Sequence, residues 1–249
     1  MAERIRFETE NFIKNITVPS ITNTYSPVSN SDLIDSLEES LNIKGYNILK
    51  KEYVIGARGN EVYGNWILSS AEGGDIFTRK ERYEPGDMQL AIGFQNSYDK
   101  KLKLKIVPGV RVCICSNQAM SRSNISIFEK KHTGDINLEF PIFIDNSLGE
   151  LDTMYNNFKD AFDRLSQVQI NKKIMSELAG RLYIQEDIIS SEQVSILRKE
   201  IINPTFAQFS EDNGYNFYQH CTYSIRKSHP NEIIDKYTKV HDFVINSLL

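Results

Sequence analysis

The spacing of hydrophobic positions divides the chain into a strand-rich first part and a helical second part. In the first part, short apolar runs are separated by Gly, Asn, Asp or Pro, a pattern typical of strands joined by turns. The predicted strands are residues 53–55, 63–68, 88–94, 102–107, 110–115 and 125–128. The intervals between them are too short for repeated crossover helices, which favours an antiparallel or mixed sheet.

Helical spacing appears once before these strands and continuously after them. Residues 1–30 show no sustained period and predict an irregular arm. A first helix is predicted with Ser31 as its N-cap and Gly45 as its stop, because Leu33, Leu37 and Leu41 recur at helical spacing between them. From residue 146 onward we expect amphipathic helices, which cover residues 148–165, 174–183, 191–202, 215–226 and 231–249.

These patterns predict an α+β fold with a central antiparallel or mixed sheet, an N-terminal helix and a C-terminal helical half. We assign residues 1–145 to the arm, helix and sheet, and residues 146–249 to a helical region packed on the same domain.

The 249 residues are 40% hydrophobic and 25% charged, which is the balance of a globular protein. No apolar run approaches the roughly 18 to 20 residues that span a bilayer, and the first residues lack an apolar signal core. We therefore expect a cytoplasmic protein with no membrane partner, and a homo-oligomer is compatible with the sequence.

The net charge of −4 conceals a basic segment. Residues 100–131 contain eight basic residues and one acidic residue, a net charge of +7, whereas the rest of the chain carries 21 basic and 32 acidic residues, or −11. Such a contrast favours a polyanion facing the basic segment.

The three cysteines, two of them at Cys113 and Cys115, are too few for a disulfide framework and lack zinc-ligand spacing. The sequence therefore indicates no metal and no cofactor.

Alternating lysines provide the first candidate site. Lys101, Lys103 and Lys105 would share one face of a strand and suit a phosphate backbone, with Lys130 and Lys131 adding charge. The alternative is a solvated sheet face, or an edge strand that lysines protect against aggregation.

A polar loop before that strand provides the second candidate. Asn96, Ser97 and, later in the chain, Asn117 have side chains that can hydrogen-bond a ligand, and Tyr98 has a ring for base stacking. The alternative is a turn built by local side-chain bonds. Arg111, inside an apolar stretch, needs an anionic ligand or an acidic partner, for which Asp99 is one candidate.

His132 provides the third candidate, because a histidine beside the two lysines that precede it stays neutral and can act as a base. An isolated histidine is nevertheless more often structural. The sequence contains no phosphate-binding loop, nucleophile elbow, metalloprotease motif or dinucleotide fingerprint, which argues against nucleotide-driven work.

These motifs carry a family resemblance. The run of residues 93–100, followed by Gly109, Val110-Arg111-Val112, Cys115-Ser116-Asn117 and Lys131-His132-Thr133-Gly134, resembles the DUF932 family of phage and plasmid proteins. Residues 216–222 resemble a C-terminal helix of that family, with Gln219 or His220 where the family has Asn. The family's function is unknown. The resemblance implies a protein of a phage or other mobile element and raises DNA handling, recombination support and defence evasion.

Three functional hypotheses follow. The leading one is a non-enzymatic protein that binds nucleic acid, most of all single-stranded DNA, in recombination or replication support. The second is an enzyme acting on a nucleotide or phosphodiester, with His132 as base, Asp99 as its orienting or metal-binding partner and Arg111 on the anion; the lack of a carboxylate cluster for two metals disfavours it. The third is an inhibitor that binds a host defence protein.

Overall fold

The computed structural model describes residues 6–56, 59–69, 88–112, 118–120 and 127–249. Within these residues the chain forms seven strands and eight α-helices. The strands are β1 (Arg6–Phe7), β2 (Asn47–Ile55), β3 (Glu61–Ser69), β4 (Met88–Ser97), β5 (Leu104–Val112), β6 (Gln118–Ala119) and β7 (Phe128–Lys130). The helices are α1 (Glu10–Lys14), α2 (Asn30–Ile43), α3 (Ile136–Leu148), α4 (Leu151–Gln167), α5 (Lys172–Gly180), α6 (Ser191–Ile202), α7 (Gly214–Ile225) and α8 (Pro230–Leu248).

The strands form an antiparallel sheet in the order β1-β2-β3-β4-β5-β6, with β7 also paired to β5. The predicted α+β class is therefore confirmed. By their contacts the described residues belong to two units: those within Met1–Lys80, Gln89–Gly109 and Ile125–Thr153 form the first, and those within Glu81–Met88, Val110–Asn124 and Met154–Leu249 form the second. No helix within the described ranges is long and apolar enough to cross a membrane.

Strand β5 corrects the prediction of two separate strands at residues 102–107 and 110–115. The chain runs through Pro108 and Gly109 without a break and begins its strand only at Leu104. Its antiparallel partner changes at that point, because β7 pairs with residues 104–106 and β6 with residues 110–111. Pro108, which has no backbone N–H to donate, lies between the residues of β5 that pair with β7 and those that pair with β6.

Three helix predictions are also corrected. The N-cap of α2 is Ser29 and not Ser31, since the Ser29 hydroxyl accepts from the backbone N–H of Asp32. The predicted arm contains the short helix α1, which Thr9 caps and which buries Ile13 completely. Helix α3 begins at Ile136, whereas the sequence pattern assigned residues up to 145 to the arm, first helix and sheet and expected helices only from residue 146 onward. Its apolar run has no clear helical period and includes Pro141.

The core of the first unit is built around an aromatic cluster. The rings of Trp66 and Phe94 meet edge to face at 5.6 Å, and Tyr53 lies 6.3 Å from Phe94. Gly64 is opposite Phe94 in the register of β3 and β4, and the Phe94 ring lies across it. A Cβ atom at position 64 would lie 2.0 Å from Phe94 Cζ, so only glycine leaves room for this ring.

A charged network joins α1 to the sheet. The Glu10 carboxylate accepts from Lys14, Lys51 and Tyr53 at 2.8, 2.8 and 2.9 Å. Burial by itself raises the pKa of Glu10, but these three hydrogen bonds outweigh it and lower the pKa to about 2.

The second unit contains most of α4 and helices α5 to α8, in agreement with the helical half predicted for residues after 146. Its core includes a buried histidine, His241, whose ring lies 4.8 Å from that of Phe158. The His241 Nδ1 atom is 3.3 Å from the Tyr218 hydroxyl. Burial lowers the pKa of His241 to about 4, so the ring is neutral at physiological pH.

Candidate nucleic-acid interface at one end of the sheet

The turn between β4 and β5 and the residues around the end of β7 lie at one end of the sheet in the first unit. The register of β5 with β7 places Lys130 opposite Leu104, directly after the turn residues 98–103. This arrangement brings together two of the basic groups that the sequence singled out. We define the basic end as the exposed or half-exposed lysines here, which are Lys100, Lys101, Lys103, Lys130 and Lys131.

Most lysines of the basic end are ion-paired. Lys101 Nζ lies 2.9 Å from Asp99 Oδ2 and 3.8 Å from Glu61 Oε1. Lys103 Nζ lies 2.7 Å from Glu129 Oε1. Lys130 pairs with Glu139 of α3, whereas Lys131 is exposed and makes no ion pair with any residue that the structure describes. The hydrogen bond from Lys103 holds the pKa of Glu129 below its usual range, against the opposing effect of partial burial.

Lys105 does not belong to this surface, contrary to the prediction of three lysines on one exposed strand face. It is only 5% exposed, and its ammonium lies 3.4 Å from Glu129 Oε2. The expected alternation fails because β5 begins at Leu104, so Lys101 and Lys103 lie in the turn and only Lys105 in the strand. With Lys105 included, six lysines face four carboxylates, and the local charge is about +2 rather than the +7 of the sequence window.

Tyr98 is not presented to a ligand, which corrects its predicted stacking role. Its side chain is 8% exposed and its hydroxyl accepts from the backbone N–H of Asn30 at 2.8 Å. Tyr98 therefore ties the turn to the first residue of α2.

Asn96 and Ser97 are the last two residues of β4 and not a loop. The Asn96 amide donates to Val28 O at 2.8 Å and to Asn30 Oδ1 at 2.7 Å. The Ser97 hydroxyl donates to Leu102 O and accepts from Leu102 N. These bonds close the turn and anchor the chain that precedes α2, so both side chains have the local structural role that was the alternative to ligand binding.

His132 is buried beneath the basic end. It is 4% exposed, its carbonyl accepts from Ser26 N at 2.8 Å, and neither ring nitrogen has a hydrogen-bond partner among the described residues. Burial lowers the pKa of His132, which keeps the ring neutral. Asp99 does not orient it, since the Asp99 carboxylate binds the side chain and backbone N–H of Lys101 instead. The acid–base pair of the enzyme hypothesis is therefore not formed.

Tyr25 is the residue of this site that sequence reasoning missed. Its ring lies 5.9 Å from that of His132, and its hydroxyl donates weakly to Ser97 O at 3.4 Å. Burial and the nearby charge of Asp99 raise the pKa of Tyr25. The only signal for it was an aromatic residue within the polar first 30 residues, which carries no period and predicted only an arm.

Arg111 lies away from the turn. It is the eighth residue of β5, opposite Gln118 of β6, whereas Asp99 precedes β5 and binds Lys101. The suggested pair of Asp99 with Arg111 is therefore wrong, because the extended length of the strand separates the two positions. Asn117, Cys113 and Cys115 lie outside the described residues. Across the described residues, no three His, Cys, Asp or Glu side chains gather in a way that could hold a metal ion.

No protein-family model, curated protein or solved structure matches this chain. The resemblance to the DUF932 family therefore stays a prediction that rests on the quoted motifs.

Proposed function

We propose that the protein binds single-stranded DNA through the basic end, in support of recombination or replication. The observation that carries this proposal is the concentration of five accessible ammonium groups on one turn and the adjoining strand end. The proposed contacts with phosphates are made by Lys100, Lys101, Lys103, Lys130 and Lys131. Phosphate neutralisation of this kind supplies most of the affinity of proteins that bind nucleic acid without reading its sequence.

The carboxylates beside these lysines do not prevent such binding. Ion pairs between exposed side chains are worth only about 0 to 1 kcal/mol, because water solvates both partners and the side chains lose entropy. A phosphate that replaces a carboxylate therefore loses little, and it gains by releasing counterions from the DNA. Lys105 has a different part in this proposal, since it holds Glu129 from below and makes no contact with DNA.

The test is the salt dependence of binding to a fluorescently labelled dT oligonucleotide, measured by anisotropy from about 50 mM salt upward. Each lysine that contacts a phosphate contributes about 0.7 to the slope of log affinity against log salt on a single strand. We expect Lys103→Gln and Lys131→Gln each to reduce this slope by about that amount.

Lys50 provides a matched control. Like Lys103, its side chain is about half exposed and pairs with a glutamate, Glu52, at 2.6 Å, but it lies on β2. We expect Lys50→Gln to leave the slope unchanged. No binding by the natural protein at about 50 mM salt, or equal losses in Lys50→Gln and Lys103→Gln, would overturn the proposal.

A further inference from the structure

Lys100 occupies an unusual backbone conformation at the basic end. Its φ is +66°, in the left-handed region that non-glycine residues rarely adopt. Its exposed side chain places Nζ 4.7 Å from the centroid of the Tyr25 ring. A strained residue thus holds a cation over an aromatic ring, and the Tyr25 side chain is only 4% exposed beneath it.

The imidazole beside Tyr25 is left without hydrogen bonds. A buried polar group without a partner costs free energy, and proteins rarely retain one without a reason. Both nitrogens of His132 are in this state among the described residues, although its ring is in contact distance of Tyr25. A neutral imidazole offers one donor and one acceptor, which are the groups needed to bind the edge of a nucleobase.

We propose that Tyr25 is the residue on which a base of the bound DNA stacks, and that His132 offers hydrogen bonds to that base. In the free protein Lys100 covers the ring, and on binding its ammonium moves from the ring to a phosphate. This inference rests on the proposed function. It assigns base contact to Tyr25 rather than to Tyr98 because a movable lysine covers the Tyr25 ring, whereas no lysine covers Tyr98 among its described contacts. The two hydroxyls also differ in their bonds, since Tyr25 donates to Ser97 O at 3.4 Å and Tyr98 accepts from Asn30 N at 2.8 Å.

The exchange has a physical rationale. An ammonium over an aromatic ring at the protein surface is held weakly, and a base that replaces it stacks on the same face. A phosphate next to that base attracts the released ammonium, so one movement provides both contacts.

Two probes separate base contact from phosphate contact. One is a labelled dT oligonucleotide, and the other is an oligonucleotide of equal length in which every nucleotide is abasic. Both present the same phosphates, so the ratio of their affinities at one salt concentration reports on base contact alone. We expect the natural protein to favour dT by about 5-fold or more, the factor expected when one base stacks on an aromatic ring.

Four variants then locate that contact. Tyr25→Leu is expected to reduce the dT preference to near 1, and Tyr25→Phe, which keeps the ring, to preserve it. Glycine adopts a φ of +66° without strain, so Lys100→Gly keeps the backbone and removes only the side chain that covers the Tyr25 ring. The preference for dT over the abasic oligonucleotide should rise by about 2- to 5-fold, the strength of an exposed cation–π contact. Tyr98→Leu is the matched control for a truncated, buried tyrosine in the same region, and its preference should equal that of the natural protein.

The outcomes distinguish this inference from the proposed function. Binding of both oligonucleotides with equal affinity would overturn the stacking site and leave phosphate binding intact, whereas no binding of either would remove the proposed function itself. A dT preference retained in Tyr25→Leu, or lost only in Tyr98→Leu, would also overturn the inference. If thermal melting shows that Tyr25→Leu is unfolded, Lys100→Gly decides the matter, and an unchanged preference in that variant counts against the inference.

Discussion

Replacement of Gly64 by alanine tests whether the aromatic cluster holds the first unit together. The new Cβ atom would lie 2.0 Å from Cζ, 2.3 Å from Cε1 and 2.6 Å from Cε2 of Phe94. Carbon atoms pack at about 3.5 to 4.0 Å, so the Phe94 ring would have to move by about 1.5 Å or more. The ring is fully buried and is already in contact with Trp66 and Tyr53, which leave no space for this movement.

The expected cost follows from two contributions. Overpacking of a filled core costs about 1 to 3 kcal/mol. Each edge-to-face contact that Phe94 gives up is worth about 0.5 to 1.5 kcal/mol more. We therefore expect Gly64→Ala to lower the free energy of unfolding by about 3 kcal/mol.

The assay is urea unfolding followed by the fluorescence of Trp66, the single tryptophan of the chain and a member of the cluster. Gly180→Ala is the control, because Gly180 has a helical φ of −62° and its new methyl group would meet no described atom within 4 Å beyond its own helix backbone and chain neighbours. Alanine is favoured over glycine there, by about 0.5 to 1 kcal/mol.

A second variant tests the cause of the loss. Phe94→Leu shortens the side chain that collides with the new methyl group, so the Gly64→Ala/Phe94→Leu double variant should be at least about 1 kcal/mol more stable than the two single effects added together. A Gly64→Ala protein within about 0.5 kcal/mol of the natural protein, or additive effects in the double variant, would refute the steric argument.

Three further predictions concern charge. The lowered pKa of Glu10 contributes about 2 kcal/mol to the free energy of unfolding, allowing for its partial exposure. This contribution is present above the unfolded pKa near 4.5 and is lost as the pH falls toward 2. The free energy of urea unfolding should therefore depend less on pH in Glu10→Gln over that range. His241 binds a proton more readily in the unfolded chain, so the free energy of unfolding falls as the pH drops from 6.5 toward 4. The free energy of unfolding at pH 7 exceeds that at pH 4.5, and His241→Phe should reduce this excess by about 2 to 3 kcal/mol. An unchanged excess would contradict the prediction. Glu129→Gln removes the carboxylate that pairs with Lys103 and should strengthen oligonucleotide binding at low salt. The variant protein should melt at a lower temperature, because Lys105 loses the same partner. Weaker binding by a folded variant would count against the proposed interface.

Periodicity predicted the elements whose buried face repeats regularly. Helix α6 has the predicted bounds, and α4 buries Leu151, Phe158 and Leu165 on the expected stripe. The same rule failed for α3, because exposed apolar residues such as Leu138 and Ile142 lie between the buried Ile136, Phe140, Ile144 and Leu148 and hide that face in the sequence. Strand β5 was divided in two because Pro108 and Gly109 usually interrupt a strand, and local sequence cannot reveal that the neighbouring strand changes at the same place.

The candidate site was predicted only in part, because its residues come together through tertiary contacts. The sequence identified the lysines and His132, but it counted their charges without the carboxylates of Glu61 and Glu139, which lie outside the basic segment and pair with Lys101 and Lys130. Tyr98 and Tyr25 differ in their surroundings and not in their chemistry. Which of two tyrosines has a lysine over its ring depends on the path of residues 22–30, and no pattern in that segment reports its path.

The carboxylates of the basic end have a consequence for the size of anion that can bind there. A free chloride or a single phosphate must compete for Lys103 with a carboxylate that the fold keeps 2.7 Å away, at a very high effective concentration. A chain of linked phosphates meets the same kind of competition at Lys101, Lys103 and Lys130, but its second and later contacts are intramolecular and no longer depend on the concentration of free ligand. The ion pairs therefore favour anions that carry several linked charges over anions that carry one. At these three lysines a small anion must displace a carboxylate, whereas a long polyanion can exchange with the carboxylates one contact at a time.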